Sequence, residues 1–173
     1  MNKDDQQEGL VLVIHNVRSA HNVGSMFRTA DGAGVKKIII TGYTPAPPKK
    51  KALSLTPAEK AFKKTALGAE EAVAWEKISS LNKALQLLRK EGFKIVALEQ
   101  HEKSVNYLIC KPAQKMALLV GNEVVGLHAK ILKQCDAILE IPMYGKKNSL
   151  NVTVAAGVVL YHIRSIMKKK IQI

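Results

Sequence analysis

Three stretches of this chain gather residue types that can do chemistry. In the first, His21-Asn22-Val23-Gly24-Ser25-Met26-Phe27-Arg28-Thr29-Ala30, an amide and a guanidinium sit among apolar residues. Arg is seldom buried without a partner. Arg28, beside Met26, Phe27 and Ala30 on a helix that must pack against a sheet, is therefore expected to meet an anion, unless it is simply solvated. In the second stretch, Ala117-Leu-Leu-Val-Gly-Asn-Glu-Val-Val-Gly126, the missing side chain of Gly121 would let a ligand approach the backbone. Glu123 follows between apolar neighbours, where a carboxylate needs a donor or a cation to offset its desolvation. The third runs from Ile141-Pro142-Met143 through Tyr144-Gly145-Lys146-Lys147-Asn148 to Ser149-Leu150-Asn151-Val152, a loop that feeds an apolar helix.

The elements around these stretches are predicted from pattern. Residues 10–14 form a continuous apolar run, the mark of a parallel strand buried on both faces. A helix is expected at 23–34, capped by Asn22 and ended by Gly32 and Gly34. A β-branched strand follows at 37–41. Thr56-Pro57-Ala58-Glu59 combines an N-cap, a proline at the first helical position and a capping-box Glu. Leu81, Ala84, Leu85 and Leu88 repeat at helical spacing, and Gly92 stops that helix. Strands at 94–99, 116–120 and 137–141, a helical stretch at 128–134 and a last helix at 149–167 complete an α/β domain with a largely parallel sheet. In such a sheet ligands bind beyond the carboxyl ends of the strands, where all three chemical stretches fall.

Composition narrows the partner. Lys and Arg outnumber Asp and Glu by 27 to 14, for a net charge of +13. A balance that basic points to a polyanion, RNA or DNA. Lys49, Lys50, Lys51, Lys60, Lys63 and Lys64 face only Glu59 over residues 49–64, and Arg164 and Lys168–Lys170 form a second cluster. Cys110 and Cys135 have no Cys-x-x-Cys or Cys/His ligand spacing, so they read as core residues with no metal and no disulfide. His15 and His21 read as structural. The longest apolar runs fall short of the ~20 residues that span a bilayer, and residues 1–9 form a polar tail with no signal-peptide core. A cytoplasmic protein with one domain at 10–173 is expected. Gly32-Ala33-Gly34 follows a helix and lacks the third glycine of a dinucleotide fingerprint. No Walker A motif or Gly-x-Ser-x-Gly elbow is present.

Taken together, Asn-Val-Gly-x-x-x-Arg-x-Ala at 22–30, Gly-x-Glu-x-x-Gly at 121–126 and Ile-Pro-Met…Ser-Leu-Asn-Val at 141–152 resemble, in order, the three motifs of the SpoU (TrmH-like) group of RNA 2′-O-methyltransferases in the SPOUT superfamily. Lys64-Thr-Ala-Leu-Gly-Ala-Glu70 looks like the same group, so the likeness covers residues 10–162. The resemblance implies a parallel-sheet domain whose C-terminal part is threaded into a deep trefoil knot, working as a homodimer with the substrate ribose near both subunits. It implies S-adenosylmethionine as cofactor, held around Leu98, Gly121, Ile141, Ser149 and Leu150. Catalytic positions by similarity are Asn22, Arg28, Glu123, Ser149 and Asn151. By that similarity Arg28 would receive the proton of the ribose hydroxyl, helped by a phosphate; a guanidinium pKa above ~12 favours instead an electrostatic role, binding the phosphate or the developing alkoxide. Glu123 would pair with a motif cation or hold Asn22 and the backbone, and Asn151 would fix the active-site loop. Thr153 stands where Ser is also common and keeps the hydroxyl. The run Ala155-Ala156-Gly157 suggests close packing across a two-fold axis. A compact RNA such as tRNA suits the limited surface better than rRNA. The alternatives are a basic RNA-binding module of the same fold without activity, or a DNA-binding protein, for which no helix-turn-helix or zinc signature exists.

Overall fold

A computed structural model describes residues 9–48 and 54–169. Within it seven strands form one all-parallel sheet: β1 (Gly9–His15), β2 (Lys37–Thr41), β3 (Ala74–Ile78), β4 (Lys94–Leu98), β5 (Val105–Asn106), β6 (Lys115–Val120) and β7 (Ala137–Glu140). Their spatial order is β3-β2-β1-β6-β4-β7-β5. The expected runs become strands because both faces of the sheet are covered. Leu10, Leu12 and Ile14 enter one core with α1 (Ala20–Gly32), α2 (Pro57–Ala66) and α6 (Val152–Lys169). Val11, Val13, Ile39, Ala97 and Leu119 enter a second core, closed by Leu81, Ala84, Leu85 and Leu88 of α4 (Leu81–Lys90) and by Leu132 of α5 (Ala129–Leu132). A short helix, α3 (Ala69–Ala72), leads into β3.

Parallel register sets the carboxyl ends level. Val120 pairs with Ile14 on one side and Leu98 on the other, and Leu98 pairs with Leu139. The loops after β1, β4, β6 and β7 therefore leave the sheet side by side.

Several expectations need correction. α1 begins at Ala20, because Ser19 Oγ accepts from Asn22 N at 3.2 Å and takes the cap assigned to Asn22. The helix ends at Gly32, and Gly34, at φ +65°, adopts the left-handed turn beyond it. α6 starts at Val152, so Ser149 lies in the preceding loop. Asn151 does the capping: its Oδ1 accepts from Thr153 N at 2.8 Å and from Thr153 Oγ1 at 2.6 Å. Gly157 faces Thr29 of α1, where an added Cβ would come within 3.3 Å. Ala156 is fully buried. The small-residue run thus brings two helices of the same chain together. The apolar stripe left uncovered on α6 is Val154, Val158 and Tyr161.

The capping box at α2 forms as expected, with Glu59 N on Thr56 Oγ1 and Thr56 N on Glu59 Oε2. Strands β3 and β5 were not expected from pattern. They are the two sheet edges, and the Lys37–Glu76 ion pair and exposed Lys77 occupy the β3 edge, as suits strands facing water. Both cysteines are half-buried free thiols at the margins of the cores, Cys110 packed against the first and Cys135 against the second. Burial pushes the Cys135 thiol up to about 11, with Arg89 opposing and Asp136 reinforcing the shift.

Candidate active site

The turn after β6 is where the strand exits are bound together. Glu123 points its carboxylate at the start of α1. It accepts from Arg18 N at 3.0 Å, Ser19 N at 3.1 Å and the Asn22 side-chain amide at 3.0 Å. Of the two roles expected, the second is the one formed: Glu123 holds Asn22 and the backbone, and no cation is its partner among these contacts. Partial burial pushes the pKa of Glu123 up, but these hydrogen bonds outweigh it and hold the carboxyl below its ordinary range. The same turn is fixed from within by Asn122, which is buried. Its amide donates to Asn16 O and Tyr43 Oη, both at 2.9 Å, and its carbonyl accepts from Val124 N and Val125 N. The far end of the turn is held by Glu99, whose carboxylate accepts from Leu127 N at 2.7 Å and Gln100 N at 3.0 Å.

This braced turn forms one wall of a cleft of about 330 Å³, at the lower end of small-molecule sites. Leu98, Gly121, Ile141, Ser149 and Leu150, contributed by three different strand exits, all line it. Gly121 earns its place differently from the expectation. A Cβ there would strike the Leu127 side chain at 2.7 Å and the Gly126 carbonyl carbon at 2.9 Å. The glycine lets the turn fold back on itself, and the cleft is shaped as a result.

Glu99 and Glu140 also line the cleft and were not singled out from the sequence. Glu140 accepts from Ser104 Oγ at 2.5 Å. Asn122, the unnamed position in Gly-x-Glu, was likewise passed over. A polar residue two positions beyond a largely buried strand was the available signal, since such a residue must find internal partners.

Arg28 stands apart from this group. It is exposed on α1, with the apolar Met26, Phe27 and Ala30 turned into the core on the other side. Its surroundings are a shallow depression shared with Ser25, Asp31, Lys64 and Tyr161. Of the two readings of Arg28, solvation is the one observed, and within one chain it does not reach the cleft's lining.

His15 has a structural part, as expected: its Nδ1 lies 2.9 Å from Thr41 Oγ1, and the Asn16 amide donates to Nε2 at 3.1 Å. Burial, with a smaller contribution from the nearby His128, lowers its pKa and favours this neutral ring. Of the lysines expected to meet a polyanion, Lys60, Lys63, Lys64 and Lys168 are exposed. Lys49, Lys50, Lys51 and Lys170 lie outside the described residues. Arg164 serves the fold instead, donating from Nε to Ala33 O at 2.9 Å at the end of α1.

Comparison with known proteins agrees with this architecture. A protein of Staphylococcus aureus named for the TrmH family of tRNA/rRNA methyltransferases is 31% identical over 165 residues, covering 94% of this chain and 62% of its own length. This chain thus spans about three fifths of that relative. The AdoMet-bound rRNA methyltransferase of Sinorhizobium meliloti superposes with a TM-score of 0.81 at 27% identity, over 92% of this chain and 57% of that one. A structure described as giving insight into 2-OH methylation of C/U34 on tRNA superposes with a TM-score of 0.76 at 25% identity, over 94% of this chain and 99% of that one. A model of the SpoU rRNA Methylase family matches residues 9–161, and the chain belongs to that family.

Proposed function

We propose that the chain transfers the methyl group of S-adenosylmethionine to a ribose 2′-oxygen of structured RNA, tRNA in preference to rRNA. The observation that carries this reading is the convergence of Leu98, Gly121, Ile141, Ser149 and Leu150 on one cleft walled by the turn that Glu123 ties to Asn22. The cleft's chemistry suits the cofactor. Leu98, Ile141 and Leu150 offer apolar surface to a flat purine, while Glu99, Glu123 and Glu140 place three carboxylates on the lining for a ligand with sulfonium and ammonium charges. Bound there, the cofactor would supply an electrophilic methyl group.

What remains for the protein is to align the ribose oxygen and to steady its charge as the proton leaves. Asn22 and Glu123 would hold the first turn of α1 against the cleft, and Asn151 would fix the loop carrying Ser149 and Leu150 through its cap on α6. Arg28 would contact phosphate or the developing alkoxide. A guanidinium, with a pKa above ~12, acts better as a fixed charge than as a base, worth ~3 kcal/mol in the transition state. Because Arg28 lies outside the cleft of its own chain, it would act across a homodimer. The uncovered Val154, Val158 and Tyr161 stripe of α6 is the surface that supports such an interface.

We further infer the deep C-terminal trefoil knot, supported by the placing of β6 between β1 and β4, and a single domain over residues 10–173 working in the cytoplasm. No helix among the described residues is long and apolar enough to cross a membrane. The tRNA preference draws on the tRNA-directed structure, which matches this chain over nearly its whole length. Calorimetric titration with S-adenosylmethionine or its demethylated product tests the reading, followed by label transfer to unmodified tRNA and rRNA offered separately. Heat on binding and label in tRNA are expected. No heat would leave a basic RNA-binding module, and label in rRNA alone would overturn the substrate preference.

A further inference from the structure

Beside the cleft, and sharing Asn122 and Val124 with it, lies a shallower depression lined by Arg18, Tyr43, Asn122, Val124 and Val125. Tyr43 is unusual there. Its side chain is 57% exposed, yet the residue is fixed at both ends. Its hydroxyl accepts from the Asn122 amide at 2.9 Å, and its backbone N–H donates to Asn16 Oδ1 at 3.2 Å. An exposed tyrosine ordinarily gives its hydroxyl to water and leaves the ring free to turn. Here the hydroxyl is held inward by a residue only 7% exposed, and ring surface remains open to solvent.

The neighbours extend that surface. Val124 and Val125 are 81% and 65% exposed, and add apolar area beside the ring. Arg18 is exposed on the rim, while its backbone N–H is anchored on Glu123. The Glu123 carboxylate is committed to the α1 amides, which lessens its repulsion of an incoming anion. A fixed aromatic ring with an apolar floor and one cation at the edge is the chemistry that receives an unpaired nucleobase and its phosphate.

We propose that Tyr43 and Arg18 form a nucleobase subsite, in which an unpaired RNA base next to the reacting ribose stacks on Tyr43 while its phosphate meets Arg18. This rests on the RNA methyltransferase reading above. Asn122 couples the subsite to the cleft, because one side chain sets both the ring and the turn that carries Glu123.

The test is direct RNA binding by fluorescence anisotropy with the full chain, using unmodified tRNA, a single-stranded oligonucleotide and a fully paired duplex. Tyr43→Leu should weaken binding to the two RNAs with unpaired bases about tenfold, equivalent to about 1.4 kcal/mol. Tyr43→Phe should keep most of the affinity, since it keeps the ring. Duplex binding and cofactor affinity should stay near wild-type values in both, and any fall in melting temperature, from the Asn122 amide losing its Tyr43 acceptor, should be similar in the two. Arg18→Gln, which leaves the anchored backbone untouched, should flatten the salt dependence by roughly one phosphate contact. Equal losses for Leu and Phe, an equal loss on duplex, or wild-type affinity in Tyr43→Leu would each overturn the subsite. Wild-type protein that binds these RNAs but methylates none would overturn the enzymatic reading alone.

Discussion

Replacing Glu123 with Ala removes one acceptor from three donors at once: Arg18 N, Ser19 N and the Asn22 amide. Hydrogen bonds to a charged group contribute about 1.5–3 kcal/mol each when shielded from water. Glu123 is largely exposed, so water can replace much of what is lost, and about 1–2 kcal/mol in total is the expected cost. In a domain of this size that lowers Tm by about 3–6 °C. Glu123→Gln keeps one carbonyl acceptor and should lose about half as much. The pH dependence has a definite sign. The folded carboxyl lies below its ordinary value of 4.5, so its stabilisation is complete above that value and is lost as pH falls through the lowered one. The gap between wild type and Glu123→Ala should therefore be constant near neutrality and close on acidification. Single-turnover methyl transfer should fall at least ~10-fold, the effect of a loosened near-attack geometry. A variant melting within ~1 °C of wild type at neutral pH, with an unchanged rate, would refute the argument.

Arg28→Ala should leave cofactor affinity near normal and reduce methyl transfer at least ~100-fold, read from single-turnover rates on bound RNA; rates within a few-fold of wild type would reject its role. Sedimentation should give a species of twice the 19.0 kDa chain mass, and Val154→Asp with Val158→Asp should give a folded monomer with little methyl transfer. Replacing Lys60, Lys63 and Lys64 with Ala should flatten the slope of RNA affinity against salt by roughly two to three contacts without changing cofactor binding; an unchanged slope would place the phosphates elsewhere.

What the sequence made legible follows burial. Strands β1, β2, β4, β6 and β7 read as apolar runs because helices cover both faces, whereas β3 and β5, at the exposed edges, carry no such signature. The start of α1 was misplaced because Ser19 and Asn22 both suit a cap. The choice was made by Glu123, some hundred residues away, which draws the Asn22 amide into another bond. The cleft-lining residues were legible through motif spacing, which marks the strand exits. Asn122 was not, since its meaning lies in partners at Asn16 and Tyr43 that only the folded chain brings near. Arg28 stayed open between burial and solvation because its apolar neighbours in sequence, which occupy the opposite face of the helix, do not show which face it takes.

The position of β6 has a consequence for how the chain is made. Gly9 of β1 pairs with Lys115 of β6, and Lys94 of β4 pairs with Met116 on the other side. Both flanking strands leave the ribosome first, and at ~5–20 residues per second β1 waits roughly 5–20 s for its second partner. β1 and β4 must not join edge to edge during that interval, although nothing in their apolar composition forbids it. β6 therefore enters a slot that has to be kept or reopened for it. Synthesis order and sheet order conflict at β6, and again at β7, which enters between the earlier β4 and β5, and the cleft forms only after both conflicts are resolved.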